Sequence, residues 1–249
     1  GVQTCALPIL EKETFVYYET LKNRYPNVRI LTWKKEFNYS AINNFAVREA
    51  RGEYLLFLNN DVEIITESWL EEMLQLCQQK DVGMVGAKLY YPDDTIQHAG
   101  VVVGLGGVAA HVLCKLPRDA EGYMGRLRCV QEISAVTAAC MMVKTSVFKA
   151  VGGFDEELKV AFNDIDLCMK VRKYGVKIVF TPYAELYHYE SKSRGMEDTP
   201  EKQLRFSREV NCFRRKWERE LLKGDPYYNP NLTLNNTDCS LRKQEKNGD

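Results

Sequence analysis

The sequence predicts an α/β fold in which a mixed, mostly parallel sheet is flanked by helices and followed by a C-terminal helix. Two observations support this fold class. Short apolar runs alternate with segments whose apolar residues recur at helical spacing. The clearest run, residues 54–58, is apolar throughout and is bounded by turn-forming residues, which is typical of a buried parallel strand.

The first half of the chain is expected to alternate helices and strands, after an N-terminal segment, residues 1–10, that does not fit the fold. Ser40 and Thr66 have the side chains of N-caps, and Gly52 is suited to end a helix in the left-handed conformation. The predicted helices cover residues 11–24, 40–51 and 66–79, and the predicted strands cover residues 28–32, 54–58, 82–91 and 95–103.

The second half begins with a polar stretch, residues 104–131, whose length and glycines are typical of a mobile lid or a binding loop. Predicted strands then cover residues 135–143 and 177–180, and predicted helices cover residues 145–152, 163–174 and 199–223. Gly175 is expected to end a helix, and Pro182 to turn the chain after a strand. Residues 226–249 are polar, and we expect them to be loosely ordered.

The composition excludes several classes of protein. The chain has 249 residues, with 34 Lys and Arg against 34 Asp and Glu, so nothing indicates a general nucleic-acid binder. No apolar run reaches transmembrane length, and no signal-peptide pattern occurs. The 8 cysteines show no metal-binding spacing. They indicate reduced thiols in a cytoplasmic protein.

A polar turn follows the strand at residues 54–58 and supplies the first candidate site. Asn59, Asn60 and Asp61 would lie at the carboxyl edge of the sheet, where α/β proteins bind ligands. Asp61 has the chemistry of a ligand for a hard divalent cation, which would in turn hold phosphates. The alternative is an ordinary turn in which Asp61 caps a helix. Asn43, in the first turn of helix 40–51, could contact the same ligand or serve only in capping.

Asp164 and His188 are the other candidates. Asn163 is expected to cap a helix whose first turn carries Asp164 and Asp166, and the helix dipole favours an ionised carboxylate there. We interpret Asp164 as a general base, and Asp166 as a residue that only stabilises the helix. His188 could ligate a metal ion at the sheet edge, or could be structural.

Five stretches together resemble glycosyltransferase family 2, and most closely its bacterial rhamnosyl- and N-acetylhexosaminyl-transferase-like members. They are GEYLLFLNNDVE at 52–63, GMVGAKLYYPDDTIQHAGVVV at 83–103, VTAACMMVK at 136–144, GGFDEELKVAFNDIDLCM at 152–169 and YAELYHYESKSR at 183–194. The resemblance implies a GT-A, Rossmann-like fold for residues 11–198, with residues 199–225 as a helical extension.

The resemblance also implies an inverting transfer from a nucleotide-diphosphate sugar to a saccharide or lipid-linked saccharide, as in cell-surface polysaccharide synthesis. The family's metal motif falls on Asn59, Asn60 and Asp61, its base on Asp164, and a metal or diphosphate contact on His188. The implied cofactor is manganese or magnesium. The processive QxxRW motif is absent from NCFRRKW at 211–217, which implies a single addition. The implied location is the cytoplasm or the inner face of the membrane.

Three departures from the family leave alternatives open. Asn59 and Asn163 stand where the family has acidic residues, which would suit a non-catalytic sugar-binding module. The family's first two strands have no counterpart here, so we expect an N-terminally truncated and unstable or inactive fragment. A sugar nucleotidyltransferase is the third possibility, but it needs a basic, glycine-rich triphosphate loop that this sequence does not show.

Overall fold

The computed structural model describes residues 12–190 and 199–243. Six helices occur there: α1 (Lys12–Arg24), α2 (Tyr39–Glu49), α3 (Trp69–Cys77), α4 (Thr145–Ala150), α5 (Asn163–Tyr174) and α6 (Pro200–Lys223). The strands are β1 (Tyr54–Leu58), β2 (Val62–Ile64), β3 (Val82–Tyr90), β4 (Ile96–His98), β5 (Val101–Val103), β6 (Ala109–His111), β7 (Gln131–Glu132), β8 (Cys140–Lys144) and β9 (Lys177–His188). The predicted N-terminal segment 1–10 lies outside the described residues.

A central sheet has the strand order β1-β8-β3-β9-β2, with β4 added to β3 and β7 added to β9. Alternate residues of β3 belong to two apolar clusters, so the sheet is buried on both faces. One face packs against α3 through Met73 and Cys77, and the other packs against α5 and α6 through residues such as Phe213. Strands β5 and β6 form a separate pair.

The α/β fold is confirmed, but most neighbouring strands are not parallel. Strand β8 lies between β1 and β3 and is antiparallel to both, while β3 and β9 are parallel. Strands β1, β3 and β9 therefore run in one direction without all being neighbours. The sequence could not show this, because a continuous apolar run indicates burial on both faces rather than strand direction.

Several predicted boundaries are wrong for local reasons. Residues 28–32 form no strand, because the described chain offers them no strand partner. The N-cap of α2 is Asn38, whose side chain accepts from the Ala41 amide, whereas Ser40 is buried and donates to the Leu158 carbonyl. Helix α2 ends at Glu49, ahead of Gly52. Helix α3 begins at Trp69 because residues 62–64 first form β2.

Strand β9 is longer than predicted because it continues through Pro182. Strand β7 pairs with residues 179–180 of β9, and β2 pairs with residues 186–188 on the same outer side. Pro182 falls between these two pairings, where a strand needs no backbone donor. The chain therefore reaches His188 within one strand, although three extra residues of β9 bulge out of the β3 register between Phe180 and Glu185.

Two predicted loops are ordered. The stretch 104–131 contributes β6 and two 3₁₀ turns, and it buries Leu105, Val112 and Leu127 in the core, so it is not a free lid. Residues 226–243 are packed as well, with Leu232 bridging to Leu241 and Cys239 buried. Sparse apolar residues anchor this polar tail, and residues 244–249 lie outside the described ranges. None of the helices in the described ranges is long and apolar enough to cross a membrane.

Candidate active site

The end of β1 and the end of β9 meet at one edge of the sheet. After β1 the Asn59 amide donates to the Ala139 carbonyl at 2.9 Å, and the chain then turns into β2. Because Val62 of β2 is in register with His188 of β9, the turn brings Asp61 beside His188. The Asp61 Oδ1 and His188 Nε2 atoms are 3.3 Å apart. Asp61 thus precedes a strand and does not cap a helix.

The His188 imidazole is fixed by amide side chains on both ring nitrogens. Its Nδ1 lies 2.7 Å from Gln97 Oε1, and its Nε2 lies 3.1 Å from Asn59 Nδ2. An amide oxygen only accepts hydrogen bonds, so Nδ1 carries the proton and Nε2 presents its lone pair to the turn. Gln97 Nε2 also donates to the His188 carbonyl and to Glu190, each at 3.2 Å. Asn60 is exposed at the tip of the turn.

Asp164 lies across residues 138–139 from Asn59. It occupies the first turn of α5, where its Oδ1 accepts from the Ile165 amide at 2.8 Å and its Oδ2 accepts from the Ala138 amide at 3.2 Å. The Ala138–Ala139 segment thus joins Asp164 to the Asn59 backbone. Asn163 is the first residue of α5, and the cap position belongs to Phe162.

Tyr39 and Asn43 of α2 border Asp164. The Tyr39 hydroxyl donates to the Ala138 carbonyl at 3.1 Å, and burial followed by the charge of Asp164 raises the Tyr39 pKa well above its ordinary value. Asn43 Nδ2 donates to the Tyr39 carbonyl at 2.8 Å. Asn43 therefore caps no helix and lies beside the candidate base.

Asp166 points the other way and is fully buried. Its carboxylate accepts from Trp217 Nε1 at 2.8 Å and pairs with Lys216 at 2.8 Å and Lys170 at 3.3 Å. These contacts join α5 to α6. Asp166 is thus structural as expected, but through a buried ion cluster.

Sequence reasoning missed Gln97 and Tyr39. Gln97 adjoins His98 in the chain. His98 itself packs against His111, with 3.4 Å between their Nδ1 atoms, and burial lowers its pKa well below the ordinary value. No spacing along the chain links Gln97 to His188, so only the strand pairing could reveal their contact.

A divalent cation fits the Asp61–His188 pair in part. Octahedral ligands at ~2.1 Å from magnesium lie roughly 3 Å from one another, close to the separation of these two atoms. The unprotonated Nε2 and the carboxylate are suitable donors, and Gln97 orients the imidazole as an outer-shell partner. Within residues 12–190 and 199–243 no group of three or more His, Cys, Asp or Glu could hold a metal. Water and substrate phosphates would therefore complete the coordination.

Comparison with known proteins supplies the family. The sequence profile of the Glycosyltransferase like family matches residues 20–209. The uncharacterized protein y4gI of Sinorhizobium fredii is 53% identical over 93% of this chain and 26% of its own length. The O-antigen biosynthesis protein RfbC of Myxococcus xanthus is 42% identical over 95% of this chain and 18% of its own length. The chain thus spans 26% and 18% of the length of these two relatives.

More distant similarities agree with this result. The N-acetylglucosaminyl-diphospho-decaprenol L-rhamnosyltransferase of Mycobacterium tuberculosis is 24% identical over 70% of this chain and 62% of its own length. The crystal structure of GalNAc-T7 with UDP, GalNAc and Mn2+ aligns with a TM-score of 0.67 at 13% identity, over 89% of this chain and 43% of its own. The Pyrobaculum calidifontis mannosyltransferase PcManGT, in complex with GDP-Man and Mn2+, aligns with a TM-score of 0.59 at 14% identity, over 88% and 54%. At such identity these structures establish the shared fold.

Proposed function

Because this chain belongs to the Glycosyltransferase like family, we propose that it transfers a sugar from a nucleotide-diphosphate sugar to a hydroxyl group of a saccharide or lipid-linked saccharide. The observation that carries the proposal is the convergence of Asp61 and His188 at the sheet edge, with Asp164 across residues 138–139. The names of the Myxococcus and Mycobacterium relatives support a role in cell-surface polysaccharide synthesis.

The donor diphosphate is assigned to the turn after β1. Asp61 and His188 would hold manganese or magnesium, which when bound neutralises the charge that develops on the departing diphosphate. The manganese in two structural neighbours supports this choice. Asn59, Asn60 and Asn43 offer amide donors and acceptors to the sugar and ribose hydroxyls.

Asp164 is assigned as the general base. Its carboxylate accepts the proton of the acceptor hydroxyl, whose oxygen then attacks the anomeric carbon as the bond to the diphosphate breaks. Attack from the face opposite the leaving group inverts the anomeric configuration. Asp166 is buried in its ion cluster and does not face a substrate. Asp164 is therefore the carboxylate in the first turn of α5 that can do so.

A single addition per binding event is also part of the proposal. In α6, two residues of the segment 211–217 have structural contacts. Phe213 lies in the core, and Trp217 donates a hydrogen bond to Asp166. We place the reaction in the cytoplasm, at the inner membrane face when the acceptor is lipid-linked. The free cysteines in the described part of the chain are consistent with a reducing compartment.

The test is donor turnover with a panel of nucleotide sugars and manganese. Asp164→Asn should reduce the acceptor-dependent release of nucleoside diphosphate by about 10²–10⁴-fold, because it removes the base. Donor binding, measured by calorimetry, should remain. Asp81→Asn is the matched control, since Asp81 is an exposed acid that pairs with Lys177.

Two results would contradict the proposal. Full turnover by Asp164→Asn would remove Asp164 from the mechanism. Tight sugar binding with no release from any donor would favour a non-catalytic sugar-binding module, for which the amide at Asn59 is the best support.

A further inference from the structure

A second concavity lies on the outer edge of β9, away from the candidate active site. Between the pairings with β7 and β2, residues 181–184 of β9 have no strand partner on that side in the described chain, while the Glu185 backbone bonds to Ile65 and Thr66. A cavity of about 1170 Å³ opens at this gap. Pro182, Tyr183 and Glu185 line one side of it, and Lys88 and Tyr90 of β3 lie behind them.

The floor of the cavity holds a buried ammonium group. Lys88 is only 4% exposed, and its Nζ donates to the Leu127 carbonyl at 3.2 Å. Among the described residues no carboxylate lies within ion-pair distance of it, and burial lowers its pKa below the ordinary value. A buried ammonium carries three donors. Its Nζ also lies 5.3 Å from the centroid of the Tyr90 ring, and a ligand in the cavity could accept a hydrogen bond from the ammonium group as well.

The wall of the cavity is preorganised. Arg118 bonds to Glu185 Oε2 at 3.3 Å and lies over the Tyr90 ring, 4.9 Å from its centroid. The Tyr90 hydroxyl donates to the other Glu185 oxygen. At the mouth, Tyr183 is 54% exposed, and its hydroxyl donates to the Arg128 carbonyl at 3.3 Å. Fixed charged groups and an exposed aromatic ring therefore face the same space.

The balance of charge indicates the class of ligand. Three basic and five acidic side chains line the cavity, so it has no field of one sign that would select an anion or a cation. Many donors and acceptors beside an exposed tyrosine suit a neutral molecule that is rich in hydroxyl groups and has apolar ring faces. Saccharides have this combination.

We propose that this cavity binds a saccharide, namely the part of the acceptor glycan that lies away from the reacting hydroxyl. Glu185 precedes His188 by three residues on β9, which is about 10 Å along a strand. Because an odd separation places the two side chains on opposite faces of β9, an oligosaccharide that connects them has to pass around the end of the sheet. The assignment to the acceptor rests on the proposed function, whereas saccharide binding itself does not.

The experiment is a protein-detected NMR titration of the chain with tetrasaccharides of N-acetylglucosamine and of rhamnose. Glucuronic acid and inorganic phosphate are the anionic comparisons. We expect a tetrasaccharide to shift the amides around Tyr183 and Arg118. Tyr183→Ala should weaken binding roughly threefold to tenfold. Lys88→Met should weaken it roughly tenfold to a hundredfold, because a charged hydrogen bond is lost.

Tyr174→Ala is the matched control, since Tyr174 is 56% exposed on α5 outside the cavity, and it should bind as wild type does. The inference is overturned if neither tetrasaccharide shifts the cavity amides, if only phosphate or glucuronic acid does, or if binding is unchanged in both cavity variants. Donor turnover of the wild type is measured separately. Turnover without cavity binding overturns this inference alone, and cavity binding without turnover overturns the proposed function and the acceptor assignment but leaves saccharide binding standing.

Discussion

The orientation of His188 depends on a side chain from another strand. Gln97 accepts from Nδ1 of the imidazole and donates to the His188 carbonyl, so one amide fixes both the ring and the backbone that carries it. Partners of this kind orient metal ligands and set their tautomer. Gln97 is thus a positioning residue for the proposed diphosphate site.

Substitution of Gln97 should change metal affinity. Gln97→Leu removes the acceptor for Nδ1–H and should weaken manganese binding about 10- to 100-fold, as the loss of outer-shell partners commonly does. Gln97→Glu keeps an acceptor and should retain more of the affinity. Free manganese is measured by electron paramagnetic resonance, with Gln75→Leu on α3 as the control. Equal affinity in all variants would show that Gln97 does not position His188.

Individual site residues were predictable where they directly follow a predicted strand or lie in the first turn of a predicted helix. Asp61 and Asp164 fall into that class, because the end of an apolar run and the start of a helical pattern mark sheet and helix ends. Gln97 and Tyr39 do not, since their roles come from contacts across 91 and 99 residues of chain. Whether the site residues perform their proposed roles stays a prediction.

At the scale of elements, α6 holds the loop that leads into α5, the helix that carries the candidate base. Glu209 of α6 is buried, and its carboxylate accepts from the amides of Val160 and Ala161 at 2.9 and 3.1 Å. The next residue, Phe162, has a φ of 62°, which costs a non-glycine residue on the order of 1–2 kcal/mol. Its ring packs on Phe206 and Phe213 of the same helix. Helix α6 thereby sustains the strained entry to Asp164.

Glu209→Ala should therefore destabilise the protein. It leaves two partly buried amides without their acceptor, which costs about 1–3 kcal/mol in the free energy of unfolding. Urea denaturation measures the change. Glu218→Ala, at an exposed position of the same helix, should stay within about 0.5 kcal/mol of wild type. A loss of the same size in both variants would mean that the loop contact of Glu209 is not responsible.

Element type was more predictable than element pairing. Helices α1 and α6 and strand β1 match their predicted ranges closely, because period and caps are local signals. The antiparallel insertion of β8 and the extension of β9 through Pro182 are decided by neighbours in the sheet. Likewise residues 28–32 are apolar enough for a strand but form none in the absence of a strand partner.

For the whole molecule, the buried His98 couples stability to pH. Its folded pKa lies below the ordinary value of about 6.5, mainly through burial and then through the charges of His111 and His188. Below about pH 6.5 the unfolded chain therefore binds more protons at this position than the folded one. The contribution of neutral His98 to stability is present above that pH and is lost as the pH falls towards the folded pKa.

We expect the melting temperature to fall between pH 7.5 and pH 5.5, and to fall less in His98→Gln. The glutamine can still accept from the Thr137 amide, which in the wild type bonds to His98 Nε2 at 3.4 Å. Differential scanning calorimetry at several pH values makes the comparison. Parallel curves for both proteins would show that His98 does not titrate on unfolding in this range.

The expected N-terminal truncation also belongs to this scale and stays a prediction. Among the described residues, β1 pairs with β8 and with no strand on its other side. Strands β8 and β9, which flank β3, bring the candidate site residues together from later in the chain.

The unpaired side of β1 also bears on how the protein behaves in concentrated solution. Five residues, Tyr54–Leu58, form this edge, and none is charged or proline. Soluble proteins usually place charged residues or proline on edge strands, because the unpaired backbone groups of an edge are a template for strand addition by another copy. Aggregation by this route needs collisions between folded molecules and no unfolding. The rate of aggregation by this route therefore depends on protein concentration as much as on temperature.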